Sequence, residues 1–278
     1  MMNIRSLDVL TDVTRALAED LGSGDVTSAL LPLDKQVKAE IISREPMLLC
    51  GRPWCDAVFK TINANISLQW LVAEGEWLSK GAVLCRLQGP AVDLLIAERT
   101  ALNFVQTLSG TATTTYHYVQ AIAGTQTRLL DTRKTLPGLR LAQKYAVVCG
   151  GGVNHRIGLY DAYLIKENHI KACGSVKQAI ETARTRNPFL FLEIEVETLA
   201  QLKDALETKP DRILLDNFTL EWLQDAVKMN QAYGCQLEAS GGIHLNNIST
   251  IAKTGVDFIS VGELTKSLKA IDLSMLIL

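Results

Sequence analysis

The chain has 278 residues and a formal net charge of −2, which is enough length for one large α/β domain or two moderate ones. Hydrophobic residues make up 47% and charged residues 21% of the sequence, and no apolar run is long enough to span a membrane. The near-neutral charge argues against nucleic acid as the main partner. The first residues lack the apolar core and cleavage site of a signal peptide, so we expect a cytoplasmic protein.

The six cysteines are scattered singly through apolar stretches, without any C-x-x-C spacing. This pattern predicts buried, reduced thiols and argues against a disulfide framework or a zinc site.

Residues 1–110 predict an α+β domain. A helix is expected over residues 6–21, followed by the strand "QVKAEIISRE", the helix "GRPWCDAVFKTI" and a strand-rich, glycine-punctuated stretch that ends at Pro90. The next stretch is helical, and Gly110 within it predicts a break, which we take as the domain boundary. The apolar tail, residues 268–278, is expected to dock back on this first domain.

Residues 111–267 repeat a unit of a short apolar strand, a polar or glycine-rich turn and a helix. The predicted strands are "TRLLD", "DAYLI", "FLFLEIEVE", "RILLD", "CQLEAS" and "VDFISVG". Continuous apolar strands in series with helices are typical of a parallel sheet, either closed as a barrel or doubly wound. Polar or glycine residues follow nearly every strand. Because strand ends converge on one mouth in a barrel, this distribution favours an irregular (β/α) barrel.

A basic segment lies within this second domain. Residues 131–171 contain seven Lys and Arg residues against three acids, although the whole chain is slightly acidic. Arg133 and Lys134 follow one predicted strand, where an arginine can hold a carboxylate by two hydrogen bonds and a lysine can offer a point charge to a phosphate. The alternative is a solvated basic turn without a ligand.

His155 and Arg156 precede the next strand, and Lys166 ends it. Three such donors around one pocket suit a ligand with more than one carboxylate. A single histidine is more often structural than catalytic, so His155 taken by itself favours a structural role. Arg99 sits on the helix that leaves the first domain, and on the sequence alone it is an exposed helical charge.

Two acids and a group of glycines complete the candidate site. Glu195 and Asp216 end neighbouring strands, and such carboxylates suit sugar hydroxyls and a Mg²⁺ ion that keeps several waters. Pairing with the nearby cations is the alternative. Ser240, Gly241 and Gly242 are expected to open a helix whose free N–H groups bind phosphate, and Gly262 ends the following strand.

Seven motifs together resemble the quinolinate phosphoribosyltransferase family, in order and over almost the whole chain. They are "EDLGSGDVTS", "AERTALNFVQTLSGTAT", "DTRKTLPGLRLAQKYAVVCGGGVNHRIGLYDAYLIKENHI", "EIEVE", "ILLDN", "EASGGI" and "ISVGELTKS". The resemblance implies a cytosolic enzyme that converts quinolinate and phosphoribosyl pyrophosphate to nicotinate mononucleotide, pyrophosphate and CO₂ with Mg²⁺. It also implies an N-terminal α+β, sandwich-like domain, an irregular α/β barrel and a homodimer with shared active sites.

The resemblance also implies roles for individual residues. The positions that match quinolinate binding are Arg133, His155, Arg156 and Lys166, together with Arg99, which matches an arginine donated by the partner chain. The positions that match phosphoribosyl pyrophosphate binding are Lys134, Lys166, Glu195, Asp216, Ser240, Gly241, Gly242 and Gly262. The implied catalytic residues are Lys134, Lys166, Glu195 and Asp216, and the two acids are expected to hold Mg²⁺ through water.

Two details stay open. Lys266 stands where some relatives have histidine, which leaves one phosphate contact undecided, and His169 has no ligand role that the sequence assigns. Three rival functions are a related protein of molybdenum transport, a barrel lyase with Lys166 as a Schiff base, and a non-catalytic phosphosugar-binding protein. The intact N-H-R and I-K-x-N-H patterns argue against the first, and a Schiff base needs a lysine with a depressed pKa.

Overall fold

A computed structural model of the chain describes residues 6–32 and 34–278. The chain divides into two compact units. The first contains the residues up to 116 together with residues 135–151 and 264–278, and the second contains residues 117–134 and 152–263. Each unit therefore combines segments that are distant in sequence.

The first unit is built on a four-stranded antiparallel sheet. Its strands are β1 (Gln36–Ser43), β3 (Ser67–Trp70), β5 (Val83–Pro90) and β12 (Leu273–Ile277), in the spatial order β12-β1-β5-β3. A separate pair is formed by β2 (Met47–Leu48) and β4 (Trp77–Leu78). In the β1–β12 ladder Ala39 lies opposite Ile277, so the last residues of the chain form an edge strand of this sheet.

Helices pack with this sheet around one apolar core. They are α1 (Ser6–Leu21), a 3₁₀ turn (Ser28–Leu30), α2 (Arg52–Ile62), the long α3 (Ala91–Ala121) and α4 (Arg140–Cys149). In α1 the buried residues Val9, Val13 and Leu17 recur every four positions, as an amphipathic helix requires. Trp54 of α2 is fully buried, and its ring lies 5.5 Å from that of Tyr145 in α4.

The expected break at Gly110 is wrong. Helix α3 runs without interruption through this position. Glycine is needed there for a different reason, because a Cβ atom would collide with the carbonyl oxygen of Lys269. The residue allows the C-terminal segment to cross the helix at close range, and it does not end the helix.

Of the six cysteines, Cys50, Cys55, Cys85 and Cys235 are buried as predicted, whereas Cys149 is half-buried and Cys173 is exposed. Tertiary structure also brings together two thiols that are 99 residues apart. The sulfur atoms of Cys50 and Cys149 and a carboxylate oxygen of Glu74 lie within 4.8 Å of one another. Burial, followed by hydrogen bonding to Cys149, raises the pKa of the Cys50 thiol, which favours its protonated form.

The second unit contains a six-stranded parallel sheet, as the sequence predicts. The strands are β6 (Arg128–Leu130), β7 (Tyr163–Ile165), β8 (Leu192–Val196), β9 (Arg212–Asp216), β10 (Gln236–Ser240) and β11 (Phe258–Ser260). Their spatial order is β6-β11-β10-β9-β8-β7. The last strand thus pairs with the first, which is the closing contact of a barrel, and Val153 forms a further parallel bridge to Leu130 on the other side of β6. This order confirms an irregular (β/α) barrel.

Helices follow the strands of this unit. They are α5 (Glu167–Cys173), α6 (Val176–Arg186), α7 (Leu199–Thr208), α8 (Leu220–Asn230) and α9 (Ile248–Ala252), with the short α10 (Glu263–Lys266) at the boundary between the units. Ser175, Thr198 and Thr219 are the N-caps of α6, α7 and α8, and each hydroxyl oxygen accepts a backbone N–H of the first turn. None of the helices described is long and apolar enough to cross a membrane.

Candidate active site

The strands of the barrel carry polar side chains on one face. All five residues of β8 are buried, and because successive side chains point to opposite faces, Glu193 and Glu195 share one face of that strand. On β10, Glu238 and Ser240 share one face in the same way. On β9, Arg212 and Asp216 share one face with Leu214 between them. The expectation of continuous apolar strands is therefore wrong for these strands, which carry polar side chains on one of their two faces.

Lys166 and Glu195 meet at the carboxyl ends of β7 and β8, where their side chains form an ion pair. The Lys166 side chain is 44% exposed and that of Glu195 is 9% exposed. A carboxylate partner stabilises an ammonium, whereas Schiff-base chemistry needs a neutral amine, so this contact argues against the lyase. The alternative in which the acids pair with nearby cations therefore holds for Glu195.

His169 has a structural role. Its Nδ1 accepts the backbone N–H of Lys166 at 3.0 Å, which places the ring at the start of α5 as part of a capping box. The contact fixes the backbone from which the Lys166 side chain projects.

Arg133 and Arg156 form a cationic pair. Arg156 donates through Nη1 to the carbonyl oxygen of Ala162 at 3.3 Å. Burial, and then the positive charge of Arg133, lowers the pKa of Arg156. Its Nε is buried and has no hydrogen-bond partner within the described part of the chain. Two repelling guanidinium groups with an unused buried donor fit an anionic ligand.

His155 is held from two sides. Its Nε2 lies 2.8 Å from Oε2 of Glu193, and its Nδ1 accepts the backbone N–H of Arg156 at 2.7 Å. The backbone N–H of His155 donates to Oδ1 of the fully buried Asp131 at 2.8 Å. Both ring nitrogens therefore have partners inside the protein, which favours the structural role that the sequence assigns to a single histidine.

The loop after β10 differs from the prediction. Ser240, Gly241 and Gly242 do not open a helix, because α9 begins only at Ile248 and both glycines have positive φ angles of 95° and 58°. They form a turn instead. A Cβ atom on Gly241 would collide with Oδ1 of Asn217, so only glycine fits there. The carbonyl oxygen of Gly242 accepts from Nδ2 of Asn247 at 3.0 Å.

Lys134 and Gly262 are neighbours, because they follow the adjacent strands β6 and β11. A Cβ on Gly262 would lie 3.0 Å from Cδ of Lys134, so the stem of the lysine lies directly over the glycine. Glu263, the next residue, accepts from the hydroxyl of Tyr118 at 2.8 Å and lies 3.1 Å from Nδ1 of His244. These contacts connect the loops after β10 and β11.

Glu195 and Asp216 do not lie side by side. In the β8–β9 ladder Glu195 is opposite Leu214, so Asp216 lies two residues further towards the carboxyl ends. Two residues of strand span roughly 7 Å. Asp216 is half-buried beside Ser240 in the β9–β10 ladder, and its Oδ2 accepts from Nδ2 of Asn217 at 2.8 Å.

Arg99 and Lys266 belong to the first compact unit. Arg99 lies on α3 with its side chain 60% exposed, and its Nη2 lies 4.0 Å from Oε1 of Glu98. Lys266 is the last residue of α10 and is exposed.

Four residues of this site were not singled out from the sequence. They are Asp131, Glu193, Arg212 and Glu238, all of which contact one another or His155. A signal was present, because Glu193 stands two residues before Glu195 near the end of β8 and Glu238 stands two residues before Ser240 at the end of β10. Period-two spacing places both members of such a pair on the same face.

Comparison with known proteins agrees with this geometry. Residues 111–276 match the model of the quinolinate phosphoribosyl transferase C-terminal domain, and residues 25–109 match the N-terminal domain of the same enzyme. The chain is 44% identical over 271 residues to the carboxylating nicotinate-nucleotide pyrophosphorylase of Mycobacterium leprae, covering 95% of each protein. It is 41% identical over 258 residues to a probable carboxylating nicotinate-nucleotide pyrophosphorylase of Bacillus subtilis, covering 92% of this chain and 89% of that protein.

A solved structure gives the same result. The nicotinate-nucleotide pyrophosphorylase of Francisella tularensis superposes with a TM-score of 0.97 at 46% identity, and the match covers 99% of this chain and 98% of that one. The chain belongs to the quinolinate phosphoribosyltransferase family.

Proposed function

We propose that this chain converts quinolinate and phosphoribosyl pyrophosphate to nicotinate mononucleotide, pyrophosphate and CO₂ in NAD biosynthesis, with the residues described above. Matches to both family domains support the reaction. The observation that carries the site is the buried Nε of Arg156, which has no hydrogen-bond partner among the described residues. Burial, and then the positive charge of Arg133, lowers the pKa of the same guanidinium. A carboxylate of quinolinate supplies an acceptor for this donor.

Quinolinate is held by Arg133, Arg156 and Lys166 in this proposal. A planar guanidinium can hold a carboxylate through two parallel hydrogen bonds, so two arginines can fix both carboxylates and with them the orientation of the ring. His155, whose ring nitrogens have protein partners, contributes by supporting Arg156.

Phosphoribosyl pyrophosphate occupies the neighbouring strand ends. Its 5′-phosphate lies at the turn of Ser240, Gly241 and Gly242, where positive φ angles let successive backbone N–H groups face an anion. Its pyrophosphate lies near Lys134, whose stem packs over Gly262. Lys166, paired with Glu195, stands between the two substrates.

The chemistry needs positioning and charge stabilisation. The pyridine nitrogen attacks C1 of the ribose as pyrophosphate departs, through a transition state with oxocarbenium character. Glu195 and Asp216 orient the ribose and stabilise its positive charge, while Lys134 stabilises the leaving pyrophosphate. The positive charge of the quaternary ring nitrogen then stabilises the electron pair left on the adjacent ring carbon when its bond to the carboxylate breaks. CO₂ leaves, and this carbon takes up a proton from water.

The acids also fit a magnesium site of the expected kind. Mg²⁺ prefers oxygen ligands and usually keeps several waters, with one or two carboxylates and substrate phosphates completing its shell. Asp216, half-buried at the strand end, suits such an ion, and Glu195 can reach it through water because it is already paired with Lys166. When bound, the ion neutralises negative charge on pyrophosphate.

A homodimer with shared sites completes the proposal. Arg99 projects from α3 with most of its side chain exposed, as a residue that serves a partner chain must. A cytoplasmic location also stays a prediction.

The test supplies phosphoribosyl pyrophosphate and Mg²⁺ with either quinolinate or nicotinate, and measures mononucleotide and CO₂. We expect equal amounts of both products from quinolinate, and none without phosphoribosyl pyrophosphate. Mononucleotide formed from nicotinate but not from quinolinate would reject the proposed substrate. Mononucleotide formed from quinolinate without CO₂ would reject the proposed decarboxylation.

A further inference from the structure

A chain of buried polar contacts runs beneath the cationic pair. It begins at Arg212 on β9, whose Nη1 donates to Oε2 of Glu238 on β10 at 3.1 Å. A carboxylate oxygen of Glu238, one of Glu193 on β8 and a ring nitrogen of His155 lie within 4.8 Å of one another. Oε1 of each acid is buried and has no hydrogen-bond partner among the described residues. Nε2 of His155 lies 2.8 Å from Glu193 and 3.6 Å from Glu238.

Glu193 and Glu238 are more deeply buried than Arg133, Arg156 and Lys166, the residues proposed to bind quinolinate. The side chain of Glu193 is 1% exposed and that of Glu238 is fully buried. Arg212 balances part of their charge, and its guanidinium is itself held 4.0 Å over the ring of Phe258. Buried carboxylates with these partners cannot reach a substrate, so any part they play in the reaction passes through another residue.

His155 is the residue through which they act. Its Nδ1 accepts the backbone N–H of Arg156 and therefore carries no proton, so the ring proton is on Nε2 and is donated to Glu193. Glu193 thus selects the tautomer and the ring orientation that leave Nδ1 available to Arg156. With the other orientation, a C–H group would face the Arg156 N–H, and that buried donor would lose its acceptor.

The segment of residues 154–156 is also held by a third buried acid, Asp131. Asp131 accepts the N–H of His155 at 2.8 Å and Nδ2 of Asn154 at 2.6 Å. The backbone that leads into Arg156 is therefore held at three consecutive residues, and the guanidinium projects from a fixed base.

We propose that Glu193, supported by Glu238, is a positioning residue for quinolinate: it locks His155 through Nε2 so that Nδ1 fixes the backbone of Arg156 and aims its guanidinium. This inference rests on the assignment of Arg156 to quinolinate. A small displacement of an aligning group can cost a large factor in rate, which gives a buried residue of this kind a measurable effect.

The first test is steady-state kinetics of Glu193→Gln and Glu238→Gln, which keep side-chain shape, with Glu197→Gln as control. Glu197 is exposed just beyond β8, so its variant removes the same charge from the same segment. We expect Glu193→Gln to raise KM for quinolinate about 10- to 100-fold, while kcat and KM for phosphoribosyl pyrophosphate change by less than about threefold. Equal changes in both KM values would mean a merely structural role and overturn the proposal.

A double-mutant cycle tests whether Glu193 acts on quinolinate binding through Arg156. If Glu193 acts through Arg156, then Glu193→Gln adds less than about twofold to KM for quinolinate in an Arg156→Lys background. Fully multiplicative effects would overturn the proposal. If Arg156→Lys alone leaves KM for quinolinate unchanged, the assignment of Arg156 fails, and that outcome is distinct from failure of the positioning role.

The ring proton gives an independent readout. Long-range ¹H–¹⁵N spectra of the wild-type chain should show a neutral His155 with its proton on Nε2, assigned by comparison with His155→Gln. In Glu193→Gln we expect this single tautomer to be lost. A proton on Nδ1 in the wild-type chain would contradict the proposed contact with Arg156.

Discussion

Lys166 and Glu195 form an ion pair across the neighbouring strands β7 and β8, at the edge where both strands end. One partner is 44% exposed and the other is nearly buried. An exposed ammonium has little effect on stability, because solvent screens its charge. The pair therefore belongs to the chemistry of the site more than to the stability of the fold.

Replacing Lys166 by methionine should lower activity much more than stability. We expect kcat to fall by about 10²-fold or more, since one charged group that stabilises the transition state is lost, and the free energy of unfolding to change by no more than about 1 kcal/mol. The measurements are steady-state kinetics and urea unfolding. Lys177→Met is the control, because Lys177 is exposed and pairs with Glu181 within α6. Unfolding of the Lys166 variant at much lower urea would contradict this prediction.

Arg133→Ala should weaken quinolinate binding while phosphoribosyl pyrophosphate binding stays mostly intact. An arginine that holds a carboxylate by two hydrogen bonds is not replaced by a lysine, so Arg133→Lys should lose affinity as well. Binding of each substrate alone is measured by calorimetry, with Arg186→Lys on the exposed end of α6 as control. Equal loss of both substrates in a folded variant would reject the assignment of Arg133.

Gly241→Ala and Gly242→Ala separate the effect of backbone strain on stability from the effect of a collision with Asn217, at the turn proposed to bind phosphate. Both glycines have positive φ angles, but only Gly241 has a neighbour, Asn217, in the space that a Cβ would occupy. Gly242→Ala should lower the free energy of unfolding by about 1–2 kcal/mol through backbone strain alone. Gly241→Ala should cost about 1–3 kcal/mol more, because Asn217 must move. Equal losses would mean that Asn217 gives way without cost.

Glu238 predicts a pH dependence of stability. Burial, and then the charge of Glu193, raises the pKa of Glu238 to about 8 from its usual 4.5. The folded chain therefore holds a proton that the unfolded chain has released, so this contribution is present below about pH 4.5 and is lost as the pH rises through about 8. The slope is at most about 1.4 kcal/mol per pH unit for one proton.

The measurement is urea unfolding from pH 5 to pH 9. Glu238→Gln should flatten the decline in the free energy of unfolding over this range, whereas Glu207→Gln, which removes an exposed carboxylate from α7, should leave it as in the wild type. A Glu238→Gln chain with the wild-type slope would assign the effect to other groups.

Arg99 predicts complementation between subunits. Arg99→Ala and Arg133→Ala chains should each be inactive, but random mixing should restore about a quarter of the wild-type activity, since half of the dimers are mixed and each regains one complete site. Activity is measured after the two chains are unfolded and refolded together. Mixed dimers that form and stay inactive would show that Arg99 does not serve the partner's site.

Local order in the sequence was enough to predict the class of fold. Six apolar runs separated by stretches with helical periodicity predicted the parallel strands, because strand and helix formation depend on the side-chain period of residues close in sequence. The same short-range information failed at Gly110, where a distant carbonyl and not a local turn requires glycine.

For the candidate site, too, the sequence predicted some features and only the tertiary structure decided the others. Strand-end positions identified Lys166, Glu195 and Asp216 from the sequence alone, since parallel strands bring their carboxyl ends to one edge. Only the tertiary structure decided that Lys166 pairs with Glu195, that Asp216 is offset from it, and that Glu193 and Glu238 support His155 from below. Those contacts join strands that are tens of residues apart, and their register and burial are set by packing, which no local pattern contains.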